Sequence, residues 1–304
     1  MKTDEQIFKE YDNKLYCYIK LIYPDLTRLI SKERAPYVKQ IDALSDLYYF
    51  MDYLLNNDEE FFKGENTKGL MLFYTKAAAD IISIRQCLLV GQLSSAASLE
   101  RNLLETYIYL LLILEKDTEN RLVLFDEYQK VQIWLHYKDK KEYLAQLKEG
   151  NDQALYDYEK TSFLEDYPIE VIEKIEDEYS AVKFNYHPKN PLHWAWMLFK
   201  DDNPSKNPTL KSICKYLKKY PDYLRIYSTN SLVVHNQPLM VNFQLRNNKL
   251  YFGPIYNEMI ANITGISMSY CKEIIINILK YLKFNKVNEI EIYLKMLFYN
   301  NFMN

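Results

Sequence analysis

Hydrophobic residues recur every three to four positions along most of the chain, a spacing that predicts amphipathic helices rather than strands. The strongest pattern runs from Leu70 to Val90 and resumes over Gln92 to Glu115, with Gly91 at the joint. Gly91 is expected to end the first helix as its C′ residue, because glycine adopts a left-handed backbone without strain. Ser94 or Ser95 is expected to cap the second helix. Two long helices joined in this way form an antiparallel hairpin.

Polar breaks divide the remaining helical patterns into two regions. Residues 1–62 form an N-terminal helical extension, whose aromatic-rich faces need a partner surface. Residues 63–304 form a helical domain that contains the long hairpin and an acidic helical insertion at about residues 118–180. Alternation of apolar and polar residues around Asn247 and Asn248 allows one small β-hairpin near residues 241–253. The predicted fold is therefore an all-α multi-helix bundle with the antiparallel helix hairpin at its centre.

Composition and charge narrow the class of protein. Six glycines and ten prolines in 304 residues are few, which favours long helices over many short strands. The net charge of −3 creates no global attraction to nucleic acid or to an anionic membrane. The longest apolar run, from Tyr107 to Leu114, is too short to cross a bilayer. Four widely separated cysteines behind a charged N-terminus are typical of reduced thiols in a cytoplasmic protein without membrane contact.

Common catalytic motifs are absent from the sequence. It contains no glycine-rich phosphate loop, no H-E-x-x-H pair and no G-x-S-x-G elbow, which removes most support for nucleotide-dependent enzymes and common hydrolases. His187 and His193 stand in a proline-containing loop without a nearby cysteine or acidic triplet. Exposed or capping roles are expected for both histidines rather than metal binding. No metal or cofactor is expected.

The second helix of the hairpin carries charged residues beside its apolar side. Projected at about 100° per residue, Glu100 falls inside the apolar sector, and Arg101 and Glu105 border it. One interpretation is an ordinary ion pair between residues four positions apart. The other is a functional site, because the helix is apolar almost all round and a buried charged group needs a partner.

A second candidate group lies in the stretch Arg225 to His235. Tyr227, Ser231 and His235 recur every four residues, so on an α-helix they project within roughly 80° of one another. Histidine is the side chain that acts as acid or base near neutral pH, and a neighbouring tyrosine or serine can orient a water, a ribose hydroxyl or a phosphate. These three residues form a stripe along the helix. Whether the stripe is a functional site depends on whether its side chains face Arg101.

These two helices resemble those of a bacterial all-helical family of unknown function. The shared patterns are G-x-x-x-x-A-x-x-L-x-R-x-x-x-E, which contains Arg101 and Glu105, and Y-x-x-x-S-x-x-x-H, which contains Tyr227, Ser231 and His235. The resemblance covers about residues 68–285. In helical plan the chain is also similar to the HEPN superfamily, which includes many toxin and phage-defence ribonucleases. Those enzymes carry an arginine and a histidine on one helix with four to six residues between them, and no histidine of this chain is preceded by an arginine at that spacing.

The resemblance implies a metal-independent endoribonuclease, a toxin or phage-defence effector that acts on RNA as a homodimer or with a partner protein. His235 is expected to act as general acid or base, and Arg101, from the other helix, to stabilise charge on the phosphate. Tyr227 and Ser231 are expected to position the RNA backbone, and Glu105 to hold Arg101. The alternative is a non-catalytic binding or scaffold module in which the same five residues form a buried polar network.

Overall fold

The computed structural model describes residues 38–57, 67–150, 152–202, 204–228, 243–246, 249–252 and 256–302. In this part of the chain the fold is a bundle of many helices, so the prediction of an all-α protein is confirmed. The helices are α1 Val38–Asn57, α2 Lys68–Leu89, α3 Leu93–Leu114, α4 Thr118–Glu149, α5 Gln153–Asp166, α6 Ile169–Val182, α7 Trp196–Phe199, α8 Leu210–Tyr216, α9 Tyr220–Asp222, α10 Tyr256–Tyr281 and α11 Val287–Phe302, with a 3₁₀ turn at Lys183–Asn185 and a π-helix at Tyr223–Ser228.

Two short strands, β1 Phe243–Arg246 and β2 Lys249–Phe252, lie between the π-helix and α10. They pair antiparallel, with Phe243 opposite Phe252 and Arg246 opposite Lys249. This is the place where the sequence allows a small β-hairpin. None of the helices in the described ranges combines the length and the apolar character needed to span a membrane.

The chain divides into two compact units. The first unit takes in the described residues of 1–61, 74–107 and 224–304, and the second those of 62–73 and 108–223. Residues 1–37 and 58–66, which include most of the predicted N-terminal extension, lie outside the described residues. The predicted boundary between residues 62 and 63 therefore stays a prediction, as does the separate character of the insertion at 118–180.

The hairpin of α2 and α3 turns through a glycine, as the sequence predicts. Gly91 has a φ of 75°, its N–H donates to the Leu88 carbonyl, and the Gln92 N–H donates to the Cys87 carbonyl. These two bonds form a Schellman motif with glycine at C′. The start of α2 and the end of α3 belong to the same compact unit, as an antiparallel hairpin requires. The predicted cap at Ser94 or Ser95 is wrong, because α3 already begins at Leu93.

In the first unit, α1, α10 and α11 pack against one another. Residues of α1 at helical spacing are buried, including Leu44, Leu47 and Met51. The Tyr74 hydroxyl of α2 donates to the Met51 carbonyl at 2.9 Å, and the Cys271 Sγ of α10 lies 3.2 Å from the Met51 Sδ. Met51 therefore ties α2 and α10 to α1 in this core.

In the second unit, α4 packs against α5 and α6. The Trp134 ring of α4 stacks on the Tyr179 ring of α6, with centroids 3.9 Å apart and planes 5° from parallel. Close to the start of α4, the Phe125 ring meets the Trp194 ring edge-on at 5.3 Å. Aromatic side chains at two places along α4 thus contact rings from later parts of this unit.

Candidate functional site

Arg101 of α3 and Tyr227 of the π-helix form the central contact of the candidate site. They are 126 positions apart in the chain, and the Arg101 Nη2 donates a hydrogen bond to the Tyr227 hydroxyl. The guanidinium carbon also lies 4.0 Å from the centroid of the Tyr227 ring. A guanidinium on an aromatic face gains a cation–π attraction, and both side chains are half-buried. Tyr227, the first of the three residues at four-residue spacing, therefore contacts Arg101 directly.

A second arginine–tyrosine contact lies beside the first in sequence. Arg225, also in the π-helix, donates through Nη2 to the Tyr270 hydroxyl of α10 at 3.5 Å, a long hydrogen bond. The Tyr270 ring lies 5.3 Å from the ring of Tyr107 on α3. The π-helix therefore presents arginine and tyrosine side chains to both α3 and α10. Sequence spacing did not reveal Tyr270, because its partner Arg225 lies 45 positions away and no local pattern connects the two segments.

The charged residues of α3 adopt the burial that their projection predicts. Glu100 is 3% exposed, whereas Arg101 and Glu105 are half-buried. The interpretation of an intrahelical ion pair is wrong, since within the described residues no ion pair joins Arg101 to Glu105 and the guanidinium contacts Tyr227 instead. The Arg101 Nε is buried and has no hydrogen-bond partner in this part of the chain. This N–H group is therefore a buried donor without an acceptor among the described residues.

The remaining two residues of the stripe, Ser231 and His235, lie outside the described residues, and their placement stays a prediction. The sequence predicts an α-helix starting at Pro221, and the structure does place this proline in the first turn of α9. From Tyr223 to Ser228, however, the helix is π rather than α. Single π-helical turns occur often at functional sites in helical proteins.

The two loop histidines cap backbone groups, one of the two roles expected from the sequence. The Nδ1 of His187 accepts from the backbone N–H groups of Lys189 and Asn190 at 3.3 and 3.0 Å. The Nδ1 of His193 accepts from the Ala195 N–H at 3.1 Å, so the neutral ring carries its proton on Nε2. That nitrogen lies 3.1 Å from the Tyr109 hydroxyl. No group of three or more metal-ligating side chains occurs among the described residues.

Burial lowers the pKa of His193 to about 4. The unfolded chain binds a proton near the ordinary histidine pKa of about 6.5, whereas the folded imidazole stays neutral down to about pH 4. The free energy of unfolding is therefore expected to fall by up to about 3 kcal/mol between these two pH values. In urea unfolding over this range, His193→Gln should remove this loss while keeping a donor towards Tyr109.

The matched control for this prediction is His136→Gln, which changes an exposed histidine of α4. The control variant should keep the pH dependence of the wild type. Parallel curves of unfolding free energy against pH for wild type and His193→Gln would show that His193 does not carry the effect.

The sequence matches the model of a family of unknown function, DUF5677, over residues 67–249. The match spans α2, α3, the second unit and the π-helix, and it includes all five of the candidate site residues. No curated protein and no solved structure matches the chain.

Proposed function

The chain belongs to this family of unknown function, and we propose that it is a metal-independent endoribonuclease that acts as a toxin or phage-defence effector. The proposal combines the helical resemblance to HEPN ribonucleases with the position of Arg101 against Tyr227. RNA is the substrate, and a homodimer or a partner protein completes the assembly, as in the ribonucleases that the chain resembles.

The contact between Arg101 and Tyr227 is the single observation that carries the proposal. Arg101 belongs to the R-x-x-x-E pattern and Tyr227 to the Y-x-x-x-S-x-x-x-H pattern. A hydrogen bond and a cation–π contact join these two distant parts of the sequence. Stacking on Tyr227 holds the guanidinium in one orientation before any substrate arrives. A preorganised donor of this kind is what stabilises charge that develops in a transition state.

In the proposed reaction, the ribose 2′-hydroxyl attacks the adjacent phosphate and expels the 5′-oxygen of the next nucleotide. His235 transfers the proton as general base or acid, which suits a side chain that titrates near neutral pH. Arg101 donates to the phosphate oxygens, and Tyr227 and Ser231 position the RNA backbone. Glu105 has no ion pair with Arg101 among the described residues, so the proposal assigns the orientation of Arg101 to Tyr227 instead.

The second candidate function is a non-catalytic binding or scaffold module. It is favoured by the partial burial of the Arg101–Tyr227 pair and by the deep burial of Glu100. Polar groups packed between helices specify one arrangement of those helices when each is hydrogen-bonded. On this alternative the residues stabilise the bundle, and no RNA is cut.

The experiment that separates the two functions follows the products of RNA cleavage. Purified wild-type protein is incubated with end-labelled RNA and excess EDTA, and the new termini are identified. The ribonuclease proposal expects fragments with 2′,3′-cyclic phosphate and 5′-hydroxyl ends. Intact RNA, or cleavage that stops when EDTA is added, would contradict it.

A further inference from the structure

A basic, tyrosine-rich surface lies at α8 and α9 in the second unit. Between Lys206 and Arg225 the chain carries six basic residues and one acidic residue, in a protein whose net charge is −3. We call this group the lysine–tyrosine surface, and it consists of the exposed Lys211, Lys215, Tyr216 and Lys218 with the half-buried Tyr220 and Tyr223.

The lysines of this surface are held close to a tyrosine ring. The Nζ atoms of Lys215 and Lys211 lie 5.1 and 6.0 Å from the centroid of the Tyr220 ring. Lys218 ends α8 in a left-handed conformation with φ 58°, and the Lys219 N–H donates to the Cys214 carbonyl at 2.7 Å across this turn. The turn fixes the backbone from which Lys218 projects. The ammonium groups of Lys211 and Lys215 therefore lie around one ring, and Lys218 adds an exposed cation at the turn that follows α8.

These lysines have no carboxylate partner within the part of the chain that the structure describes. Across the described ranges, Lys211, Lys215 and Lys218 make no ion pair, although lysines elsewhere in the chain do. The Glu115 carboxylate, which contacts Tyr216 at 3.0 Å, also pairs with Arg121 at 2.9 Å. Grouped cations without carboxylate partners provide a local positive potential that an anionic polymer can neutralise.

The tyrosines add a second kind of contact. The Tyr220 and Tyr223 rings lie 5.9 Å apart with planes 13° from parallel, and Tyr216 is 43% exposed. Surfaces that bind single-stranded nucleic acid combine basic groups for the phosphates with aromatic rings on which bases stack. Bases of a duplex are already stacked and paired, so such rings favour a single strand. An anionic membrane offers the phosphates but not the bases.

We propose that the lysine–tyrosine surface binds single-stranded RNA, with its lysines on the phosphates and its tyrosine rings against the bases. The choice of RNA rests on the proposed function, whereas the recognition of an anionic single strand rests on the surface itself. This surface supplies the substrate affinity that the overall negative charge of the protein does not.

The test uses a fluorescent single-stranded 2′-O-methyl RNA, which lacks the hydroxyl needed for cleavage, and measures its binding to the full chain by anisotropy. Lys211→Gln, Lys215→Gln and Lys218→Gln are combined in one variant. Its affinity is expected to fall about tenfold or more, and the slope of log affinity against log salt to decrease by about 2, because each lysine–phosphate contact contributes about 0.7. Tyr220→Ala should weaken binding about tenfold, and Tyr220→Phe should not.

The matched control combines Lys148→Gln, Lys160→Gln and Lys174→Gln, which removes the same charge from exposed positions on α4, α5 and α6. Equal affinity and equal salt slope in the two triple variants would overturn the proposal, as would binding to phosphatidylserine vesicles in preference to RNA. Wild-type binding without cleavage of unmodified RNA would keep this surface and reject the ribonuclease. Cleavage of unmodified RNA by the wild type, together with undiminished RNA binding by the variant of Lys211, Lys215 and Lys218, would keep the ribonuclease and reject this surface.

Discussion

Arg101→Ala is expected to lower the rate of RNA cleavage about 100- to 1,000-fold, the usual effect of removing one preorganised donor from a charged transition state. The guanidinium is held on the Tyr227 ring at 4.0 Å, so its loss removes a donor that is already oriented. Initial cleavage rates in EDTA measure the effect. Arg101→Lys should restore little activity, because an ammonium lacks the planar shape that stacks on the tyrosine.

Arg85→Ala is the matched control for this prediction. Arg85 lies on α2 in the same unit, its side chain is 22% exposed, and it pairs with Asp42 at 3.5 Å. Cleavage by this variant should equal that of the wild type. If Arg101→Ala cuts RNA at the wild-type rate with an unchanged melting temperature, Arg101 has no part in the chemistry.

Arg121→Met is expected to lower the free energy of unfolding by about 2 kcal/mol, because it leaves the buried Leu112 carbonyl without its charged donor and removes the ion pair to the exposed Glu115 carboxylate. Arg121 of α4 is 3% exposed, donates through Nη1 to the Leu112 carbonyl near the end of α3, and pairs through Nη2 with Glu115 at 2.9 Å. Methionine fills the space of the aliphatic stem but leaves the Leu112 carbonyl without this donor and Glu115 without its ion pair. Denaturant unfolding of the full chain measures the change.

The pKa of Glu115 gives an independent readout of the same contact. Burial raises the pKa of this carboxyl, but the Tyr216 hydroxyl and the Arg121 guanidinium outweigh burial and hold the pKa below its usual range. The stability from this interaction is present above the unfolded pKa of about 4.3 and is lost as pH falls through the lowered folded pKa. Arg121→Met should weaken this acid sensitivity. A loss below about 1 kcal/mol, the value expected for a fully exposed ion pair, would contradict the account.

The fold was largely predictable because its helices follow the 3.6-residue period closely. Gly91 marked the turn of the central hairpin, since only a residue that tolerates positive φ fits that position. The cap of α3 was missed because the Schellman turn ends at Gln92 and leaves no room for a serine cap before Leu93. A capping residue alone does not fix a helix start when only three residues separate it from the end of the preceding helix.

The candidate site was predictable only in part. The apolar surroundings of Arg101 indicated that it needs a partner, and Tyr227 was one of the residues proposed to face it. The partner of Arg225, Tyr270, comes from α10, and no local pattern connects these two distant segments. The role of Arg121 was missed for the same reason, since its acceptor lies on the preceding helix and does not follow from the sequence of α4.

The π-helix also changes the angles at which the side chains of Tyr227 and its neighbours project from the helix, because each π-turn contains more residues than an α-turn.

The most direct test of the central claim compares RNA cleavage by wild type and His235→Ala in EDTA, with thermal melts of both and with His136→Ala as the control. The account predicts cleavage by wild type and by His136→Ala, no cleavage by His235→Ala, and matched melting temperatures. Equal cleavage by all three proteins would remove His235 from the chemistry. Absence of cleavage by the wild type, with a lower melting temperature for His235→Ala, would show that the stripe is structural and that the protein functions through binding.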